Sequence, residues 1–270
     1  RYDVIAFKPG NVSIDMAGHC MSARDFLMSA RVAAGPATDM TRGLGDSIRA
    51  AVEATLDAVR CNTNLGILLL CVPLLRACQI PHPSRCLIER LEVILTASDV
   101  ADARAVYRAI RLANPAGLGV SPEQDVATDP TLPLLDVMRL AAARDTIAAQ
   151  YATGFREILS LGTDTLRRAR NEAHSLADAA VTCFLEFLRS APDTHIIRKY
   201  GGVRGASVQR RAQAVASALK ACQDPRGRAT ILAVFDNELK SEDVNPGTCA
   251  DLTVASLLAL ILDAALKARD

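Results

Sequence analysis

The sequence has no tryptophan, and aromatic residues make up only 4% of its 270 positions. Half of the residues are hydrophobic, and this hydrophobicity is aliphatic, with alanine and leucine recurring throughout. Both residues are strong helix formers. Alternation of polar and apolar residues with the period of a β-strand is essentially absent. The sequence therefore predicts an all-α protein, with residues 1–270 forming a single globular domain of ten or more helices.

An excess of charge of either sign is also lacking. The chain has 31 Lys and Arg against 30 Asp and Glu, which leaves a formal net charge of +1. A nearly neutral chain is not typical of proteins that bind DNA or RNA through bulk electrostatics. We therefore expect no nucleic-acid partner, although a local basic pocket for phosphates is still compatible with this balance.

No uninterrupted apolar run reaches the length of about 20 residues that crosses a bilayer. The best candidates are 65–75, which contains Pro73, and 252–266, which is interrupted by Asp263. We predict that both are buried core helices and expect no membrane partner. The first residues also lack the charged and apolar regions of a secretory signal.

Metal-binding and disulfide patterns are missing as well. The eight cysteines include no CxxC pair, and the four histidines show no zinc-ligand spacing. We predict reduced thiols in a cytoplasmic protein. The sequence also contains no P-loop, no GxGxxG after a strand and no GxSxG elbow, so the common nucleotide-binding and hydrolase folds are not supported.

What the sequence does contain is a set of polar loops with glycines at helix edges. KPGNVS at residues 8–13 carries one of only five lysines, and a lysine on a rigid turn can reach a phosphate; the alternative is an ordinary turn with an exposed lysine. NTNLG at 62–66 opens the most apolar helix. Its unpaired N–H groups could bind a phosphate, or its own side chains could cap them.

The third candidate region is divided between two late loops. Asp193, Thr194 and His195 precede Arg198 and Lys199, and NPGTCADL at 245–252 begins the last helix. A carboxylate such as Asp251 at the start of a buried helix can be a capping residue. It can equally be a magnesium ligand, because Mg²⁺ commonly binds one or two carboxylates together with substrate phosphates.

These loops, in this order, resemble the triphosphoribosyl-dephospho-CoA synthase family, and the resemblance covers nearly the whole chain. It rests on KPGNVS at 8–13, NTNLG at 62–66, DTHIIRKYGG at 193–202 and NPGTCADL at 245–252. QDV at 124–126 and the segment 139–155 are similar to the branch of the family found in archaea and methylotrophic bacteria. Thr63-Asn64-Leu65-Gly66 stands where the better-known synthases carry Thr-His-Lys-Gly.

The resemblance implies an all-α transferase in which the 2′-hydroxyl of dephospho-CoA attacks the ribose C1′ of ATP and adenine leaves. Breaking the bond between the ribose C1′ and adenine passes through an oxocarbenium-like state. The implied cofactors are ATP, as a substrate, and Mg²⁺; the implied partners are small-molecule nucleotides, with a homodimer as a further expectation. Two alternatives stay open: a related transferase in the biosynthesis of a one-carbon cofactor such as tetrahydromethanopterin, and a non-catalytic nucleotide-binding module on the same fold.

The resemblance also assigns roles to residues. The catalytic candidates are His19, Asp193 and His195, and the magnesium candidates are Asp193 and Asp251. Either histidine or a carboxylate could take the acceptor proton, and Arg198 and Lys199 are not distinguished as the cation for the triphosphate. We expect the following residues to share one cleft: Lys8, Asn62, Asn64, Asp193 and Asp251. The nucleotide-binding candidates are Lys8, Asn11, Ser13, Asn62, Thr63, Asn64, Arg198, Lys199, Asn245 and Thr248.

Overall fold

The computed structural model describes residues 2–14, 16–172 and 175–268. Within these ranges the chain forms fourteen α-helices and one π-helical segment, and its nearest approach to a strand is an isolated bridge between Gly18 and Met21. The predicted all-α class with ten or more helices is confirmed. The helices are α1 (Tyr2–Ile5), α2 (Ala23–Thr38), α3 (Leu44–Val59), α4 (Leu65–Gln79), α5 (Leu87–Thr96), α6 (Val100–Ala113), α7 (Leu134–Ala141), α8 (Thr146–Ala152), the π-helical segment Ile158–Gly162, α9 (Thr163–Glu172), α10 (Leu176–Ser190), α11 (Thr194–Tyr200), α12 (Gly202–Ala221), α13 (Pro225–Ser241) and α14 (Gly247–Lys267).

The two most apolar helices, α4 and α14, pack against each other at the centre of the fold. Helices α2, α3 and α5 cover α4, while α9, α10 and the π-helical segment cover α14. Two buried hydroxyls on α14 are satisfied within the helix, because Thr253 and Ser256 donate to the carbonyls of Cys249 and Leu252 at 2.8 Å. The packing of α4 against α14 fixes the loops that precede these two helices close to each other.

The length argument against a membrane-spanning segment is wrong for α14. This helix begins at Gly247, has 21 residues and reaches a mean hydropathy of 1.9 over 18 residues, so by length and composition it is long and apolar enough to cross a bilayer. Half of that window is buried inside the protein. Packing against α4 and α10, rather than helix length, is what supports its prediction as a core helix.

Helix α4 continues through Pro73 because a distant tyrosine replaces the missing helical hydrogen bond. Proline has no N–H, so the carbonyl of Leu69, four residues earlier, has no partner within the helix. The hydroxyl of the buried Tyr151, in α8, donates to this carbonyl at 2.6 Å. This hydrogen bond joins α4 to α8 and supplies the donor that the buried carbonyl would otherwise lack.

The long irregular segment 114–133 is present as expected from its prolines and glycines, and no helix lies within it. Side chains of α6 hold it in place: the Tyr107 hydroxyl donates to the carbonyl of Gln124 at 2.5 Å, and Arg111 Nη1 donates to that of Val126 at 2.6 Å. No disulfide joins any of the eight cysteines, all of which are described. The segment is therefore ordered by hydrogen bonds rather than by cross-links.

We expect Tyr151→Phe to lower the free energy of unfolding by about 1–3 kcal/mol, because it leaves the buried Leu69 carbonyl without a donor. In a Pro73→Ala background the new helical N–H supplies that donor, and Tyr151→Phe should cost much less. Denaturant unfolding of the wild type, both single variants and the double variant measures this difference. Equal costs in the two backgrounds would contradict the assignment.

Candidate active site

Asp193 fastens the beginnings of two helices together. It is 2% exposed and precedes α11, where its Oδ1 accepts the backbone N–H groups of His195 at 2.8 Å and Ile196 at 3.2 Å. Its Oδ2 accepts the N–H of Cys249 at 2.8 Å, in the first turn of α14. Both oxygens of this predicted catalytic and metal-binding carboxylate are thus engaged with backbone donors. The observed geometry gives Asp193 a positioning role.

Threonine hydroxyls bring a third helix beginning to the same place. Thr248 Oγ1 accepts the N–H of His195 at 3.1 Å and lies 3.3 Å from Thr194 Oγ1. Thr194 Oγ1 in turn accepts the N–H of Thr146, the first residue of α8, at 3.2 Å. Asp145 caps α8 by accepting the N–H of Ala148 at 3.1 Å. The first turns of α8, α11 and α14 therefore meet.

The first turn of α4 completes this junction, because Gly66 has no side chain. A Cβ atom on Gly66 would lie 2.0 Å from Oδ2 of Asp251 and 2.8 Å from Cδ1 of Ile147 in α8. Neither distance is sterically possible, so only glycine permits the contact. We call the meeting point of the first turns of α4, α8, α11 and α14 the four-helix junction.

Asp251 lies at the four-helix junction without a hydrogen bond to any described residue. It is the fifth residue of α14, which begins at Gly247, so its interpretation as a capping residue is wrong. Burial raises the pKa of Asp251 well above its ordinary value, and the neighbouring carboxylates of Asp3 and Asp193 raise it further, while Arg198 and Lys8 oppose the shift. Such a crowded and unpartnered carboxylate is suited to bind a cation.

The two histidine candidates differ in their availability. His19 Nδ1 lies 3.0 Å from Asp243 Oδ1, and its Nε2 lies 3.0 Å from the carbonyl of Gly10. Both partners are acceptors, so both bonds form together only when both ring nitrogens carry hydrogen. A ring held in this way has no free nitrogen for a proton, and the geometry therefore favours a structural role for His19.

The ring of His195, by contrast, makes no hydrogen bond within the described part of the chain. Burial lowers the pKa of His195; Asp193 opposes the shift, and the positive charges of Arg198 and Lys199 add to it. A Cβ on Gly247 would lie 3.1 Å from its Nδ1, so the ring packs closely against this glycine. His195 is neutral and available near pH 7, as a general base must be.

The structure also separates the two cations that the sequence left undistinguished. Arg198 Nη1 donates to Asp145 Oδ2 at 2.5 Å, and its charge acts on both Asp251 and His195. Lys199 Nζ instead pairs with Asp243 Oδ2 at 2.7 Å on the more exposed side of α11. Arg198 is the cation at the four-helix junction.

Lys8 is buried, which contradicts its interpretation as an exposed turn residue. Its side chain is 2% exposed, and Nζ donates to Asp3 Oδ1 at 2.7 Å and to the Asp3 carbonyl. The charge of Lys8 is therefore balanced in part by Asp3, although it still acts on Asp251. Lys8 and Asp193 both act electrostatically on Asp251, and a cleft shared by these three residues stays a prediction.

The NTNLG loop mainly braces α4. Asn62 Oδ1 caps α4 by accepting the N–H of Leu65 at 3.1 Å, so the self-capping alternative holds for this side chain. Thr63 Oγ1 donates to Ser29 at 2.6 Å, and Asn64 Nδ2 donates to Thr55 at 3.0 Å. Asn64 lines a groove beside Asp3, which brings it near Lys8, but Asn62 does not line that groove.

Four other predicted residues carry buried polar atoms that have no partner among the described residues. A fifth such atom is Nε of Arg76, away from these loops. The loops at 8–13 and 245–248 touch each other, since a Cβ on Gly10 would lie 2.8 Å from Pro246 Cδ. Because unsatisfied buried polar groups are costly, their concentration here indicates a functional site. The four atoms are Asn11 Nδ2, Ser13 Oγ, Arg198 Nε and Asn245 Oδ1.

Residues 1–270 match the model of the CitG family, described as ATP:dephospho-CoA triphosphoribosyl transferase. The chain belongs to this transferase family. A Pseudomonas fluorescens protein, named a probable 2-(5''-triphosphoribosyl)-3'-dephosphocoenzyme-A synthase, is 31% identical over 110 residues, which are 39% of this chain and 35% of that protein. The match thus spans about a third of the length of this curated relative.

A solved structure shares the fold of this CitG-family chain. It comes from Archaeoglobus fulgidus and is provisionally named triphosphoribosyl-dephospho-CoA synthase. The TM-score is 0.67 at 23% sequence identity, and the superposition covers 88% of this chain and 99% of the other. At this level of identity the likeness shows that the multi-helix architecture is common to both chains.

Sequence reasoning missed Asp3 and Thr146 in this CitG-family site. From the sequence, Asp145 lies at helical spacing before Tyr151 and could either join a site or form a structural ion pair. Asp145-Thr146 begins α8 as Asp193-Thr194 begins α11, so the repeated cap pattern could have indicated both residues. No local signal marks Asp3, because its role depends on the approach of Lys8, which the fold of the first loop brings about.

We expect Asp193→Ala to lower the free energy of unfolding by more than about 2 kcal/mol, because the N–H groups of Ile196 and Cys249 lose their acceptor and that of His195 keeps only Thr248. Asp193→Asn keeps one acceptor oxygen and should lose less. Asp224→Ala is the matched control, since Asp224 caps α13 on the exposed surface and a cap of this kind is worth about 1 kcal/mol. Equal losses of unfolding free energy for the two alanine variants, measured in urea, would refute the positioning role of Asp193.

The raised pKa of Asp251 predicts a gain in stability for Asp251→Asn at pH 7 in EDTA. In the unfolded chain the Asp251 carboxyl has a pKa of about 3.9, and in the folded protein its pKa is higher. The wild type therefore loses stability as the pH rises from the unfolded pKa to the folded pKa. The two proteins should become equally stable below about pH 4.

Asp243→Asn provides a control of opposite sign. The hydrogen bond from Lys199, with those from His19 and Tyr200, lowers the pKa of Asp243 to about 2. This carboxylate stabilises the wild type above the unfolded pKa, and the benefit is lost as pH falls through about 2. Unfolding curves from pH 2 to 8 measure both effects; a loss of stability for Asp251→Asn at pH 7 would contradict the assignment of that residue.

Proposed function

We propose that this chain transfers the triphosphoribosyl group of ATP to the 2′-hydroxyl of dephospho-CoA and releases adenine. One observation carries the proposal within the family: the four-helix junction holds His195 and Asp251, a base and an acid whose side chains have no hydrogen bond to the described residues. The surrounding side chains are fixed by hydrogen bonds. This arrangement supports chemistry at the junction, where the free groups can meet a substrate held by rigid neighbours.

A divalent cation is needed if a triphosphate is to bind here. Counted as ionised, Asp3, Asp145, Asp193 and Asp251 carry four negative charges, and Lys8 and Arg198 carry two positive ones. The cluster is then negative by two charges, or by one while Asp251 keeps its proton, and would repel a polyanion. Mg²⁺ commonly binds one or two carboxylates together with substrate phosphates, and would neutralise the triphosphate here.

Asp251 is the residue that would hold Mg²⁺, because it is the one of the four junction carboxylates that makes no hydrogen bond to a described residue. Asp193 fits this role less well, since both of its oxygens already accept backbone hydrogen bonds. No set of three or more metal-binding side chains occurs in the described ranges, so the ion would be shared with the phosphates. Arg198 would contribute a fixed positive charge beside the same phosphates.

We assign the proton transfer of the chemical step to His195. A ring nitrogen of His195 takes the proton of the acceptor hydroxyl while the oxygen of that hydroxyl forms a bond to C1′. The C1′–N9 bond breaks, and adenine leaves with the bonding electron pair and takes a proton from water. The carboxylates at the junction favour the positive charge that develops on the ribose.

The replacement of the His and Lys found in better-known synthases does not remove a group from this junction. Asn64 occupies one of the two positions and donates to Thr55, while Leu65 occupies the other and is buried in the core. In this chain Leu65 serves packing around α4, while Asn64 both braces Thr55 and lines the groove beside Asp3. Asp251 and His195 come from other elements and are unaffected by the change.

A cytoplasmic location and a homodimer stay predictions.

Purified protein incubated with ATP, Mg²⁺ and dephospho-CoA should release free adenine, detected by chromatography. His195→Gln should lower kcat by about 10²–10⁴-fold, the usual contribution of a general base, while ATP still binds. His82→Gln, in a turn outside the junction, is the control and should be as active as the wild type.

The pH profile supplies a second readout for His195. Because its pKa is lowered, wild-type kcat/KM should stay level from pH 8 down past about 6.5, the ordinary value for histidine, before it falls. Adenine release that does not depend on dephospho-CoA, or a fully active His195→Gln variant, would refute the assigned roles.

A further inference from the structure

A groove of about 190 Å³ lies between α2 and α4 and reaches the edge of the four-helix junction. One wall is α2, with Ala30, Ala33, Ala34 and Ala37 at helical spacing and the ring of Phe26 at one end. The facing wall is α4, whose contributing side chains are aliphatic apart from Cys71. Because four alanines present only methyl groups, the α2 wall is flat and apolar.

The groove ends beside the reacting groups. Asp3 lines it, pairs with Lys8 and acts electrostatically on Asp251. Val254 also lines it, one turn after Asp251 on α14. The groove and the carboxylate of Asp251 therefore lie near each other, so that an apolar slot adjoins a charged site.

The polar atoms left open in the groove are acceptors. Asp3 uses Oδ1 for Lys8, and its Oδ2 accepts no hydrogen bond from a described residue. Asn64 is 9% exposed and donates its Nδ2 to Thr55, while its Oδ1 likewise accepts none. A ligand that fits would be flat, largely apolar on its faces and equipped with an N–H donor at its edge.

We propose that this groove binds the adenine base of a nucleotide substrate, with the exocyclic amine directed to Asp3 and Asn64. The inference rests on the proposed function, which supplies two adenine-containing molecules, ATP and dephospho-CoA. The volume is below the range of about 300–1,000 Å³ that encloses a whole ligand, so it suits one base. A pantetheine arm is a flexible, non-planar chain, so the flat α2 wall suits it less than a planar base.

Ala30→Leu tests the proposal. Ala30 is exposed at the rim of the groove, and leucine is a good helix former, so the variant should fold. Ala214→Leu, at an exposed position within α12, is the matched control. Calorimetric titration with Mg²⁺ present would use four probes: ATP, dephospho-CoA, inorganic tripolyphosphate and 4′-phosphopantetheine. The last two lack adenine and report on the remaining parts of each substrate.

We expect Ala30→Leu to raise the Kd of ATP or dephospho-CoA by about tenfold or more, while tripolyphosphate and phosphopantetheine bind as to the wild type. The nucleotide that is weakened identifies whose base occupies the groove. Unchanged binding of both nucleotides would overturn the proposal, as would equal weakening of dephospho-CoA and phosphopantetheine, or a change of oligomeric state alone.

Failure of this inference is distinguishable from failure of the proposed function. A wild type that releases adenine, with an Ala30→Leu variant of unchanged Kd for both nucleotides, refutes the groove and leaves the transferase intact. A wild type that binds ATP but releases no adenine with dephospho-CoA refutes the transferase, and the titrations with the variant still decide whether the groove binds adenine.

Discussion

The four-helix junction constrains the rest of the site, because a helix beginning carries N–H groups that need acceptors. Asp145, Asp193 and Thr248 supply them, and each serves a helix other than its own or a side chain from another element. The carboxylates that satisfy these donors also bring negative charge. A site built in this way can hold four helices in fixed positions, and the carboxylates that fix them also raise its negative charge. The proposed Mg²⁺ would offset that charge when a triphosphate binds.

The same assembly divides the polar residues into two groups. Asp193, Thr248 and His19 are engaged on both sides and serve to fix loops in place. Asp251 and His195 occupy the same region and have no hydrogen bond to the described residues. Burial acts on both in the direction that favours the neutral form, so the acid holds its proton more tightly and the base more weakly. Rigid neighbours and shifted pKa values are what catalysis by positioning and proton transfer requires.

The sequence was sufficient for the helical architecture, because composition and period are local properties. It was also sufficient to select most of the loops that meet, since their order matched a family. It could not assign roles within them. Asp193 and Cys249 are 56 positions apart, and only the packing of α11 on α14 makes one the acceptor of the other. Asp251 was expected as a possible cap because the beginning of α14 at Gly247 could not be located from the apolar pattern, which starts later. His19 looked equal to His195 until the fold placed Asp243, more than 200 residues away, against its ring.

The glycines in two of the family motifs acquire a specific physical reason from these contacts. Gly66 and Gly247 lie in ordinary helical turns, so backbone freedom does not explain them. Each is instead the point where another element comes closest: Asp251 lies against Gly66, and His195 lies against Gly247. These are the two side chains without hydrogen bonds at the junction. A methyl group at Gly66 would lie 2.0 Å from Oδ2 of Asp251 and would force that carboxylate to move, whereas one at Gly247, 3.1 Å from His195 Nδ1, would require a shift of only a few tenths of an ångström. A misplacement of about 1 Å is enough to cost about 10²-fold in rate. The motif glycines are therefore part of the positioning apparatus, although neither of them carries a functional group.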